Sequence, residues 1–443
     1  MKISLSDHFT YKRLFRFIFP TIVMMVITSV YSIVDGFFVS AVVGKNAFAA
    51  VNLIMPALIA LSAFGFMIGT GGSALVSRTL GEKKKELANQ YFSMLVYVVI
   101  GVGLLLSITG FIFMPQIAKL LGASELILND CVIYGRVIMI ALTFFMLQNT
   151  FQSFLITAER PRMGLVISII TGVNNIVFDF ILVYVCGMGV LGAALATAMS
   201  QIIGGLVPLI YFARNNSSHL KLVKTKIKFR ALGHACLNGS SEMVTNLSTS
   251  FVGMLYNLQL LRIAQEDGVA AYGVVMYVSF IFLALFFGYS LGCGPIVAYH
   301  YGAENTKELK NLFKKSMTIT VVAAMIMTVL GILLSSPLSH LFVGYDAELM
   351  AMTVRGMALY SFSFLLCGFN IFTSAFFTAL SNGPISALIS FLRTLVFQVA
   401  TILILPGLIG IDGVWISIVV AEAATIIVTI LLLIGYRKKY QYV

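Results

Sequence analysis

Residues 149–158 read NTFQSFLITA, and residues 370–379 read NIFTSAFFTA. At the offset of 221 the two stretches share Asn149/Asn370, Phe151/Phe372, Ser153/Ser374, Thr157/Thr378 and Ala158/Ala379. The same offset joins Gly110 to Gly331, Gly135 to Gly356, Gly189 to Gly410 and Gly192 to Gly413, and GTGGSALVSRTLG at 69–81 is loosely echoed by GCGPIVAYHYG at 292–302. A fixed offset sustained along a chain marks a duplicated structural unit. Both copies of the ten-residue block lie inside long apolar runs, so the duplicated unit is a set of membrane spans.

The chain has 443 residues, is 59% hydrophobic and 10% charged, and has a mean hydropathy of +0.99. Soluble domains carry about 25% charged residues, so a water-soluble fold is excluded. Disorder, which needs the opposite balance, is excluded too. A membrane-crossing helix needs about 20 mainly apolar residues. Twelve stretches qualify: 15–40, 50–77, 91–115, 128–157, 163–186, 190–213, 235–262, 269–298, 316–337, 348–378, 384–405 and 411–435. The first follows Lys12, Arg13 and Arg16, but its apolar run is too long for a cleaved signal. The fold class is therefore all-α integral membrane, with twelve transmembrane helices. Six spans separate the copies, so both keep the same topology. That predicts two six-helix lobes related by a pseudo-two-fold axis along the membrane normal. The lobes are residues 1–213 and 235–443, joined by a basic linker, 214–234, that contains RNNSSHLKLVKTKIKFR.

The net charge of +12 is not a nucleic-acid signal. With the N-terminus inside, the inner segments hold Lys2, Lys12, Arg13 and Arg16, then Arg78 and Lys83 to Lys85, Arg160 and Arg162, the linker, Lys307 to Lys315, and Arg437 to Lys439. Together they carry 23 of the 29 basic residues. Outer segments hold Lys45, Lys119, Arg136, Arg262 and Arg355 alongside Glu125, Asp130, Glu266, Asp267, Asp346 and Glu348. This positive-inside pattern predicts a multi-pass protein of the cell (cytoplasmic) membrane with both termini cytoplasmic.

Only four acidic residues fall deep within spans, Asp35, Asp179, Glu242 and Glu422, with one basic residue, Arg393. A charge at mid-bilayer costs at least ~2.5–3.5 kcal/mol, so such groups face a partner or a cavity. In the second lobe Arg393 has Glu242 or Glu422 to pair with. The first lobe has two carboxylates and no deep cation. Two carboxylates in one low-dielectric pocket cannot both stay charged cheaply, so a proton or a cation is expected between them. Asn175 precedes Asp179 by one helical turn and shares its face; Thr197, in the next span, adds a hydroxyl. If the ion is Na⁺, its ligands are Asp35, Asn175, Asp179 and Thr197. Pro20 removes a backbone hydrogen bond from the first span and marks a kink.

Other chemistry is not indicated. Cys131, Cys186, Cys236, Cys293 and Cys367 form no CxxC pair. GTGG at 69–72 lies within an apolar helix rather than after a strand, so it reads as close helix packing and not a phosphate loop. There is no Walker motif, catalytic triad or metalloprotease spacing. The chain is therefore not expected to be an enzyme or to need a cofactor beyond the coupling ion.

The sequence resembles the multidrug and toxin extrusion (MATE) family, in its DinF-type and MepA-like branch, over essentially the whole chain. The resemblance rests on Tyr31 and Asp35 in VYSIVDGFF, Asn149, Asn175 and Asp179 in NNIVFD, Thr197 in GAALAT, and Pro20 fifteen residues before Asp35. Tyr134 matches a tyrosine of the fourth span, and Glu242 is similar to a span-seven glutamate of some relatives. Gln152 departs from the family, where an asparagine is expected. The resemblance implies efflux of amphiphilic, often cationic organic compounds by H⁺ or Na⁺ antiport. It also implies a cation site at Asp35, Asn175, Asp179 and Thr197, and a cavity near Tyr31, Tyr134, Asn149, Gln152 and Glu242. Pro20 would be the hinge, and Arg393 and Glu422 would be structural. The expected partners are small organic molecules, H⁺ or Na⁺ and the bilayer, with no nucleic acid, and a single chain is expected to suffice. Two alternatives are a lipid-linked oligosaccharide flippase of the same superfamily, which needs basic residues in its cavity, and an ion channel, which needs selectivity rings.

Overall fold

The computed structural model of the chain describes residues 3–38 and 42–442. Lys2 and the side chain of Lys45, both counted in the charge pattern, lie outside the described residues. Among the described residues the regular structure is helical throughout. In lipid every backbone N–H and C=O must be satisfied internally, and a helix does this within one segment. The first half comprises α1 (Tyr11–Phe38), α2 (Lys45–Gly81), α3 (Lys85–Leu120), α4 (Glu125–Thr157), α5 (Pro161–Phe178) continued by a π-helical segment (Asp179–Val185), and α6 (Gly189–Ala213). The second comprises α7 (Phe229–Gly302), α8 (Thr306–Leu333), the short α9 (Ser335–Val343), α10 (Ala347–Ala379), α11 (Gly383–Phe391), a second π-helical segment (Leu392–Val396), α12 (Phe397–Ile409) and α13 (Ile411–Tyr440).

At 74 residues α7 would extend about 110 Å if straight, more than three times the ~30 Å hydrocarbon core. It is not straight. Gln265 (φ 51°, ψ −139°) breaks it into arms 229–264 and 266–302. Tyr256 and Tyr272 stack with ring centroids 5.1 Å apart, whereas a straight helix would separate them by about 24 Å. The arms are therefore antiparallel, and with α7 counted as two arms the described residues hold twelve helical stretches long and apolar enough to cross a membrane. The break falls between the spans expected at 235–262 and 269–298.

Each half has its own core. In the first, Phe92 packs edge-on to Phe154 and Phe212, 4.9 Å from each, tying α3, α4 and α6 together. In the second, buried Trp415 of α13 extends the Tyr256–Tyr272 stack. Among the described residues all five cysteines are free.

The basic segments converge on one end of the bundle. There Arg78 lies over the Tyr301 ring and Tyr301 packs on Tyr440. At the same end Arg160 donates to Ser217, and Lys315 Nζ donates to the Phe9 carbonyl at 2.6 Å. The N-terminal residues bridge the halves: Leu5 N–H donates to Glu159 in the first half (2.9 Å), and Phe9 N–H to Glu308 in the second (2.9 Å). The linker needs correction. α7 begins at Phe229, so residues 229–234 are helix. Residues 221–228 are stitched to α3: Lys221 N–H donates to Asn89, Val223 N–H to Ser93, and the Lys228 ammonium to Gln90. Backbone amides that cannot continue a helix find side-chain acceptors instead.

The halves seal against each other at this end through glycines. A Cβ on Gly81 would strike the Tyr299 carbonyl, and one on Gly302 the Arg78 carbonyl. Positions 81 and 302, like 78 and 299, are related by the offset of 221, so the contact is reciprocal, as a two-fold axis requires. Gly71 meets Ala235 and Gly239 in the same manner. On the other seam, Ile18 and Ile22 of α1 abut Gly292 and Gly288, and α1 runs unbroken through Pro20 between them.

Gly302→Ala should force the halves apart at this end. Overpacking costs about 1–3 kcal/mol, equivalent to a roughly 5- to 150-fold shift in a two-state equilibrium. Distances between spin labels at positions 84 and 304 should lengthen in the variant; an unchanged distribution would refute the seal.

Candidate functional site

Between the halves lies a cavity of about 550 Å³. Its floor, near the sealed end, is formed by Thr70, Ser73 and Pro295 with Thr378. The wall includes Tyr31, Asp35, Tyr134, Asn149, Gln152, Asn175, Thr197 and Glu242, so eight expected site residues do converge. The rest of the lining is mainly apolar, with Met55, Leu58, Phe66, Phe280 and Phe287 among its members. Among the described residues the lining contains two charged residues, Asp35 and Glu242, both acidic, and no lysine or arginine.

Asp179 lies behind this wall and is completely buried. Its neighbour is the Asp35 carboxyl, within hydrogen-bond reach, with Asn175 alongside. Two carboxylates hold no proton to share, and neither Asp179 oxygen meets a fixed donor. One added proton would join the pair; a bare cation would find the same oxygens. Asp35 also accepts from Thr197 Oγ1 at 3.3 Å. Tyr134 packs beside Thr197, and Tyr31 reaches Gln148. Among the described residues the Asn175 Oδ1 and Gln201 Oε1 atoms are buried without partners. The four residues expected to hold a cation are thus one cluster, open to the cavity through Asp35.

The second half pairs two of its three deep charges with each other. Arg393 Nε lies 2.8 Å from Glu422 Oε1, and Asn370 Nδ2 donates to Glu422 Oε2 at 2.7 Å. Thr429 in turn donates to Asn370 at 3.0 Å. Of the two partners open to Arg393, Glu422 is chosen, and Glu242 stays on the cavity wall. Arg393 sits in the π-helical segment of the second half, as Asp179 opens that of the first. Such widened turns recur at functional positions, and no sequence signal announces them. Pro20 is not among the lining residues; it lies on α1 between Ile18 and Ile22, which pack on the second arm of α7.

Sequence reasoning missed Gln148, Gln201, Thr245, Asn246 and Thr249 on the wall. For Gln201 a signal existed: it stands 221 residues before Glu422.

Two pseudo-symmetric helical halves around a central cavity define a membrane carrier. The sequence model of the MatE family matches residues 20–181 and again residues 243–404, once in each half. The chain belongs to the MatE family. It is similar to the multidrug export protein MepA of Staphylococcus haemolyticus (strain JCSC1435), with 24% identity over 441 residues, covering 97% of this chain and 94% of the relative. MepA of Staphylococcus aureus (strain MRSA252) is likewise 24% identical over 436 residues, with the same shares covered. Among solved structures, the outward-facing conformation of a multidrug resistance MATE family transporter of the MOP superfamily superposes with a TM-score of 0.92. It has 22% identity and covers 98% of each chain.

Breaking a buried ion pair leaves an uncompensated charge and costs about 3–5 kcal/mol. Arg393→Ala should lower thermal stability in detergent by that order, and adding Glu422→Gln should recover part of it. A thermal midpoint equal to the parent's would remove the pair's structural role.

Proposed function

We propose that the chain is a secondary active multidrug efflux transporter, exporting amphiphilic, often cationic organic compounds by H⁺- or Na⁺-coupled antiport. One observation carries the reading: a largely apolar cavity whose charged lining residues, among those described, are both carboxylates. Apolar side chains accept the body of an amphiphile, and carboxylates favour a cation over an anion. Against a flippase, the one deep arginine faces Glu422 rather than the cavity. The MepA relatives support the efflux reading.

The sealed end carries the basic segments, so the positive-inside rule puts that end, and both termini, in the cytoplasm of the cell that bears it. The cavity then belongs to an outward-facing state. Asp35 and Asp179 act as one coupling site in this reading. A proton or Na⁺ entering from outside neutralises the pair, favouring substrate release; its departure inside resets the half. Antiport requires both ligands to bias the same two-state element, each weakening the other. If the ion is Na⁺, Asp35, Asn175, Asp179 and Thr197 supply its oxygens. Pro20 serves as a hinge in α1, Glu242 contacts substrate, and a single chain suffices without a cofactor.

The experiment is substrate efflux from proteoliposomes under imposed H⁺ or Na⁺ gradients, each alone. Asp179→Asn keeps the shape and removes the charge, so it should abolish gradient-driven efflux while leaving the protein folded. Asp35→Asn should match it, and the double variant should be little worse than either. Glu242→Gln should weaken substrate binding yet keep coupling. Pumping by Asp179→Asn with none by Glu242→Gln would move coupling to the second half.

A further inference from the structure

A second concavity, about 360 Å³, lies at the basic end on the outer flank of the second half. Lys310 of α8 borders it on one side, and Arg437, Lys438 and Gln441 border it on the other. We propose that it binds the headgroup phosphate of an anionic phospholipid.

Three observations converge. First, the cations are unanswered. Arg78, Lys84, Arg355 and Arg393 each have a carboxylate within 4.0 Å, whereas Lys310, Arg437 and Lys438 pair with none among the described residues. Three positive charges around one hollow repel one another unless an anion enters. Second, the hollow is framed rather than formed by a loose tail. Tyr442, 1% exposed, packs 4.9 Å from Phe313 and 5.3 Å from Phe376, and its hydroxyl donates to the Leu433 carbonyl. Gln441 takes a left-handed turn (φ 52°), its N–H donating to the Arg437 carbonyl at 2.9 Å. The chain therefore folds back on itself and fixes the last turn of α13.

Third, the helices point the hollow at lipid. On α13, Ile427, Leu431 and Ile434 are 64%, 64% and 52% exposed, and Lys438 follows Ile434 by four residues. At 100° per residue these four form one stripe, apolar and then basic. On α8, Lys310 and Lys314 precede exposed Val321 and Met325 on a similar stripe. Acyl chains lying along both stripes would bring the headgroup to the three cations. A free phosphate would use the cations and ignore the stripes.

The test compares the parent with K310Q/R437Q/K438Q by native mass spectrometry from detergent. Phosphatidylglycerol, phosphatidylcholine and inorganic phosphate are titrated separately. A control variant, K224Q/K226Q/R230Q, removes equal charge from the linker. The hollow variant should bind phosphatidylglycerol about 100-fold more weakly, with phosphatidylcholine unchanged and the linker variant like the parent. Inorganic phosphate at millimolar concentration should leave phosphatidylglycerol bound. Equal losses in the two variants would mean diffuse surface charge, and displacement by inorganic phosphate would mean a free-anion site; either overturns the proposal. So does unaltered phosphatidylglycerol binding by a folded hollow variant.

Discussion

Every ionised group in this bundle must be answered inside the hydrocarbon, and the way each half answers its charges decides the rest. The second half pairs Arg393 with Glu422, adds Asn370 and Thr429, and so completes a network that needs nothing from outside. The first half sets Asp35 beside Asp179 with no cation near among the described residues. Its only remedies are a mobile proton, a mobile ion, or water from the cavity. The two halves thus treat their buried charges differently, although they share a repeated plan, and the second keeps one carboxylate, Glu242, on the cavity wall. The divergence follows the offset: the second half has Glu422 where the first has Gln201.

Much of this was legible in the sequence, for identifiable reasons. Span length, charge asymmetry and the NTFQSFLITA/NIFTSAFFTA repeat are one-dimensional consequences of the bilayer and of duplication. They yielded twelve crossings and the two-fold plan. Asn175 and Asp179 were readable as neighbours because one helical turn separates them. Joining them to Asp35 and Thr197, on other helices, rested on the unpaired charge and on the family resemblance. What stayed hidden depends on distances between helices. Arg393 had two acidic partners of equal standing in the sequence, and packing alone selects one. The turn at Gln265 was legible as a break, because the polar IAQEDG at 263–268 parts two apolar runs; that a single left-handed residue makes it was not. The linker read as a tether because a polar, basic stretch looks the same whether it is free or bound along a neighbour.

The closed end owes its form to symmetry as well as to packing. A contact on a two-fold axis joins each residue to its own counterpart's surroundings, so Gly81 on Tyr299 implies Gly302 on Arg78. Away from the axis the copies are free to diverge. One seam there is glycine against glycine, at 71 and 239, while its counterpart sets Ile18 against Gly292. The tighter seam leaves no side chain to yield; the other has isoleucine rotamers to spare.

The stitching of residues 221–228 to α3 has a mechanical consequence. With Lys228 held by Gln90 and α7 starting at Phe229, the join between the halves has no slack. The first arm of α7 is then a lever with its fulcrum beside α3. Its 36 residues, 229 to 264, span about 54 Å, so a rotation of about 10° at the fulcrum would sweep the far tip through about 9 Å. A displacement too small to unpick the hydrogen bonds at one membrane face becomes, at the other, an aperture of molecular width.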